Sequence, residues 1–172
     1  MITIYSILGN IFHDKEWNEK FDQVNKTNSF EIIKLSRLDL EKTRLRAKTN
    51  QGTDVGIVLN SGTKIQNGDV LISNSDKFII IQQNPEKVIS VKKKDKIEAN
   101  FEEILILLGH IIGNRHRPIQ IEDNKIIFPI LAESELDIFK KLFSGIIDYI
   151  DMKIEERIFE PHGEMNVHEH KS

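Results

Sequence analysis

Apolar residues recur through the first half of the chain in short runs of strand length: Met1 to Ile7, Phe30 to Leu35, Arg44 to Lys48, Asp54 to Leu59 and Val70 to Ser73. Asn50-Gln51-Gly52 and Asn67-Gly68-Asp69 put turn-forming residues between them, so this half reads as a small all-β domain. The segment from Asp14 to Ser29 is polar enough that a loop and a short helix fit it equally well. A further strand pair, Lys77 to Gln82 and Lys87 to Val91, is broken at Asn84-Pro85, because proline has no N–H for a ladder and forces Asn84 out of the helical region. A domain boundary is expected there.

The period changes after that point. From Ile97 to Ile112, residues Ile97, Phe101, Ile104, Leu105, Leu108, Ile111 and Ile112 share one side at helical spacing. Gly113 stands where a left-handed C-cap is expected, and Pro118 forbids continuation. Ile119 to Ile121 and Ile126 to Phe128 flank Glu122-Asp123-Asn124 as a hairpin. Ser134 with Asp137 can cap a second helix striped by Leu136, Phe139, Leu142, Phe143, Ile146 and Ile147, and Ile154 to Phe159 reads as a closing strand. The order strand, helix, strand, strand, helix, strand is that of a ferredoxin-like α+β domain. The expected organisation is a β domain over residues 1–84, a ferredoxin-like domain over 85–159 and a C-terminal tail over 160–172. The tail holds only Met165 and Val167 as apolar residues beyond Pro161, so it is expected to be mobile.

Composition narrows the chemistry. The 172 residues carry 24 basic and 27 acidic side chains, a formal charge of −3, so no general electrostatic attraction draws the chain to nucleic acid or to an anionic membrane. No apolar run approaches the ~18 residues of a membrane span and the N-terminus lacks a signal-peptide pattern, which leads to the expectation of a cytoplasmic protein. Without any cysteine there are no disulfides, thiolate nucleophiles or thiolate ligands. A metal must then be held by nitrogen and oxygen, and its site is to be sought among the six histidines. The chain has no P-loop, dinucleotide fingerprint, Gly-x-Ser-x-Gly or His-Glu-x-x-His, so an enzyme is not expected.

On the helix, His110 falls about 220° from Ile97 and points away from the core stripe, on a face shared with Ile106 and Glu103. It is a second ligand or an interface residue. His116 lies just beyond the helix end, braced by Pro118 and flanked by Arg115 and Arg117, two cations that repel a divalent ion. One imidazole binds metal weakly, but a two-fold axis near His116 would set it opposite its own copy. The tail adds His162, His168 and His170; in His168-Glu169-His170 the one-residue spacing lets two imidazoles reach one ion from an extended backbone. His13 is isolated and receives no role.

The segment Gly113-Asn114-Arg115-His116, followed by Arg117-Pro118-Ile119-Gln120, resembles the signature of the urease accessory protein UreE family of nickel metallochaperones. Ile7-Leu8-Gly9-Asn10, Asp39 with Thr43-Arg44 through Ala47-Lys48-Thr49, Gly52 to Ile57 and Gly68 to Leu71 are similar to that family's first domain, so the resemblance covers most of residues 1 to 159. It implies an N-terminal domain similar to chaperone peptide-binding domains and a ferredoxin-like domain through which the protein forms a homodimer. It further implies Ni(II) at the dimer axis, held by His116 of each protomer and by tail histidines, with Zn(II) or Cu(II) as alternatives in vitro. The implied partners are the urease apoprotein and other urease accessory proteins, including the accessory GTPase. Residues 117 to 161 contain no histidine, which disfavours bulk nickel storage. Two other readings compete: a protein- or peptide-binding adaptor in urease assembly with incidental metal, and an RNA-binding module, against which stand the negative charge and the lack of exposed aromatics on the expected strands.

Overall fold

The computed structural model describes residues 1–74, 77–94 and 101–161, apart from the side chain of Phe101. It divides the chain into two compact units, Met1–Asn84 and Pro85–Ser172. Among the described residues no helix is long and apolar enough to cross a membrane.

The first unit contains β1 (Ile2–Ile4), β2 (Gly9–Asn10), α1 (Lys15–Lys26), β3 (Glu31–Leu35), α2 (Arg37–Leu40), β4 (Arg44–Lys48), β5 (Asp54–Val58), β6 (Asp69–Ser73) and β7 (Phe78–Gln83). They form two sheets, ordered β1-β5-β4 and β2-β6-β7-β3. Ile4, Val55 and Ile57 of the first meet Ile33, Leu35, Leu71, Ile79 and Ile81 of the second in one core. The second sheet is covered on its other face as well, where Ile11, Val70, Phe78 and Ile80 pack with Trp17, Phe21 and Val24 of α1. Burial on both faces explains the unbroken apolar run of Phe78–Ile81, which a half-exposed strand would not carry. The polar segment is thus a helix, because Trp17, Phe21 and Val24 at spacings of four and three make a narrow stripe that is stable only against the sheet. Gly9 makes room for it: a Cβ there would lie 2.0 Å from Trp17 Nε1.

The second unit contains β8 (Glu86–Lys93), α3 (Phe101–Asn114), β9 (Gln120–Glu122), β10 (Lys125–Pro129), α4 (Glu135–Leu142) and β11 (Ile150–Arg157). Its antiparallel sheet has the order β11-β8-β10-β9. Strand, helix, strand, strand, helix, strand is the ferredoxin-like order. Ile104, Leu108 and Ile112 of α3 and Phe139 of α4, with Phe143 just beyond it, cover the sheet face that presents Ile89, Val91, Phe128 and Ile150. Each such apolar side chain contributes roughly 1.5–3 kcal/mol on leaving water.

Several expectations are corrected. β7 and β8 are not a pair: they lie in different sheets of different units, on either side of Pro85. Leu105 is 38% exposed rather than core, because the buried stripe Ile104, Leu108, Ile112 is narrow and Leu105 sits at its edge. Ser134 makes no side-chain cap; the Glu135 carboxylate instead accepts from the N–H groups of Leu131 and Ala132. The closing strand runs earlier than expected, Ile150–Arg157, and Phe159 lies beyond it. Ile97, expected in the core stripe, lies outside the described residues.

Candidate metal-binding site

The site is built at the C-terminal end of α3. His116 N–H donates to Gly113 O at 2.9 Å and Arg117 N–H to Ile112 O at 3.4 Å, the paired closure of a Schellman motif. In that motif one residue takes the left-handed conformation, and it is His116, with φ +51°, rather than the expected Gly113, which stays in the helix. Pro118 accounts for the shift. It disfavours helical φ/ψ for Arg117 and supplies no N–H, so the chain must leave the helix at Arg117 and the reversal falls on the residue before it. The imidazole is exposed, on a backbone closed by two hydrogen bonds.

Charge around it differs from a reading of neighbours in sequence. Arg117, half-buried, donates from Nη2 to Glu135 Oε2 at 2.5 Å, and Glu135 Oε1 accepts from Leu131 N–H at 2.6 Å. Arg117 is thereby neutralised and ties the loop to the start of α4, leaving exposed Arg115 as the cation beside His116 that such a pairing does not cancel. Eighteen residues separate Arg117 from Glu135, and nothing in local spacing announces the pair. Asn114, within the Gly113–His116 segment, makes a further contact. Its amide nitrogen lies 3.0 Å from His110 Nε2, and since an amide N–H only donates, the Nε2 lone pair is occupied. The spacing of four residues puts Asn114 and His110 on the same helix face, a signal present in the sequence.

His110 and His116 are both exposed at the end of α3, on the outward face and on the loop respectively. Outward with His110 lie Glu103, Ile106 at 71% exposure, Gly109 and Gly113; a Cβ at either glycine would meet nothing within 4 Å. Among the described residues of one copy, no three His, Asp or Glu side chains gather closely enough to hold a metal ion. His162, His168 and His170 lie outside the described residues.

Residues 4–83 match the model of the UreE urease accessory protein, N-terminal domain. The chain is also 29% identical over 141 residues to the urease accessory protein UreE of Yersinia bercovieri, across 79% of this chain and 60% of that protein. The likeness to UreE proteins therefore covers the first unit and extends into the second. The UreE proteins of Yersinia pestis strain Pestoides F and Yersinia pseudotuberculosis serotype O:3 give the same identity over the same length, with 59% of each covered. The chain thus spans about 60% of the length of the curated UreE relatives it matches. The family model ends at residue 83, so the Gly113–His116 segment lies in the part reached by the relatives alone.

Proposed function

We propose that this chain is a nickel metallochaperone of the UreE family acting in urease maturation, binding Ni(II) as cargo through His116 of two copies and through tail histidines, without catalysing a reaction of its own. The observation that carries the reading is the exposed imidazole of His116, held on a Schellman-closed loop whose neighbouring Arg117 is neutralised by Glu135. Imidazole suits Ni(II), and one exposed histidine becomes a useful site only when a second copy supplies another. Support for a homodimer comes from the outward face of α3, where Ile106 is exposed and Gly109 and Gly113 leave room for a second helix to approach closely. A two-fold axis near the end of that helix sets His116 against its copy.

His162, His168 and His170 complete the coordination in this reading. His110 joins through Nε2 only when the Asn114 contact opens. Ligands on a separate segment can leave one at a time without unfolding the scaffold, which favours transfer over storage. The recipients are the urease apoprotein and the other urease accessory proteins, including the accessory GTPase. Calorimetric titration with Ni²⁺ is expected to show binding by a dimer, weakened at least about tenfold in His116→Ala, the loss of roughly 1.4 kcal/mol or more. Unchanged binding in that variant refutes the proposal.

A further inference from the structure

We infer that the outer edge of β4 is a docking site for an extended segment of a partner protein, one that alternates acidic and apolar residues and joins the first sheet as a further strand. β4 is an edge of the order β1-β5-β4, and among the described residues no strand pairs with its other side. The hydrogen bonds that flank the β4–β5 pairing show which backbone groups face outward. Thr49 N–H donates to Thr53 O at 2.9 Å and Leu59 N–H to Thr43 O at 2.7 Å, and both pairs continue the register in which Ala47 meets Val55 and Leu45 meets Ile57. In an antiparallel ladder, bonded pairs alternate with unbonded ones. Thr43, Leu45, Ala47 and Thr49 therefore turn their backbone groups toward β5, and Arg44, Arg46 and Lys48 turn theirs to the free edge.

The chain itself closes the comparable edge of β3. Ile32 N–H donates to Asn50 Oδ1 at 2.7 Å, Ile32 O accepts from Asn50 N–H at 2.8 Å, and Phe30 O accepts from Gln51 Nε2 at 3.2 Å. Among the described residues nothing takes the outward groups of β4 in this way.

The side chains beside those open groups choose the occupant. Arg44, Arg46 and Lys48 are exposed on one face, whereas Leu45 and Ala47 pack against the core between the sheets. Asp54 holds Arg46 through hydrogen bonds of 2.8 and 2.6 Å, which leaves Arg44 and Lys48 with no ion pair among the described residues. Charges on an edge guard against indiscriminate strand pairing. A second copy's β4 laid antiparallel would set Arg44 against Lys48, and like charges directly opposite repel, so a copy of this chain is disfavoured. Acids opposite Arg44 and Lys48 turn the repulsion into attraction, and apolar residues opposite Leu45 and Ala47 extend the core at its rim. β4 is thus matched by the pattern acid, apolar, any, apolar, acid, with affinity from backbone hydrogen bonds and selectivity from the side chains.

The test titrates the ¹⁵N-labelled full chain, in chelator so that metal plays no part, with the peptide Ser-Glu-Val-Thr-Leu-Glu-Ser. Expected is saturable binding with downfield shifts of the Arg44, Arg46 and Lys48 amide protons, which gain an acceptor, and smaller shifts at Leu45 and Ala47, which already have one. No saturable binding, or equal shifts at all five, overturns the site. Arg46→Pro removes an outward N–H at a position where an edge strand tolerates proline, and should weaken the peptide at least about tenfold; unchanged affinity overturns strand addition. Arg44→Glu with Lys48→Glu, both on the surface, should reverse the preference, so that a peptide with lysine in place of each glutamate binds several-fold more tightly than the acidic one. A variant that still prefers the acidic peptide overturns the charge match. Where proline unfolds the first unit, the charge reversal alone decides.

Discussion

His116→Gly separates the role of the side chain from that of the backbone. His116 sits at φ +51°, where a residue bearing a Cβ is strained by roughly 1–2 kcal/mol and glycine is not. Against this, glycine gives the unfolded chain extra freedom that costs about 0.4–1 kcal/mol. The imidazole is exposed, so the two terms leave a net change between zero and a gain of about 1.6 kcal/mol. With a urea m-value of about 1–3 kcal/mol/M, the midpoint of the second unit should stay in place or rise by up to ~1.6 M. His116→Ala, which keeps a Cβ, should be no more stable than the unmodified chain. The assay is urea unfolding followed by far-ultraviolet circular dichroism, in parallel with Ni²⁺ titration of both variants. Both should lose nickel affinity alike. A glycine variant destabilised by more than about 1 kcal/mol would falsify the view that His116 is strained and kept for its chemistry, and would make it a structural residue instead.

Three further outcomes test the surrounding architecture. Gly9→Ala drives a Cβ into the Trp17 ring, so α1 must shift; expected are a red-shifted emission of this single tryptophan and a loss of about 1–3 kcal/mol in the first unit, and an unchanged spectrum counts against the packing of α1 on the sheet. Phe139→Ala removes a ring whose centroid lies 4.6 Å from that of Phe128 and 5.8 Å from that of Phe143, both tilted contacts, and should lower the second unit's stability by about 3–5 kcal/mol, read as a drop in its thermal midpoint with the first unit's unaffected. Burial pushes the Glu31 carboxyl up, but hydrogen bonds from Lys77, Thr49 and Thr53 outweigh it and hold the group below its ordinary value of 4.5. A carboxylate lowered by folding contributes stability that is present above the unfolded value and lost as pH falls through the folded one. Urea midpoints of the unmodified chain and Glu31→Gln should therefore differ at pH 7 and converge well below 4.5; a constant gap refutes the linkage.

Much of the fold can be read locally. Strand and helix identity follow from apolar spacing over a few residues, and the hairpin Gln120–Pro129 is announced by Asp123-Asn124, both of which take positive φ as a tight primed turn requires. The polar segment that became α1 was undecidable in isolation, because the three apolar residues that define it acquire a partner only when Phe30 and Phe78 arrive. The C-cap departs from the usual glycine for a different reason: Pro118 sets where the chain must turn, and the left-handed residue is His116, three residues beyond Gly113.

By itself the sequence determined which chemistry is open to this protein. It excludes thiolate ligation, places the Gly113–His116 segment at the end of an apolar helix and concentrates three histidines after Pro161. Those are properties of residue type and short-range spacing. Tertiary structure alone decided that Arg117 is neutralised by Glu135 eighteen residues away and that Glu160 N–H meets Gln120 forty residues away. Contacts at such separations depend on strand order, and the order β11-β8-β10-β9 is set by how two helices and a sheet bury their apolar faces together, a quantity no local window contains.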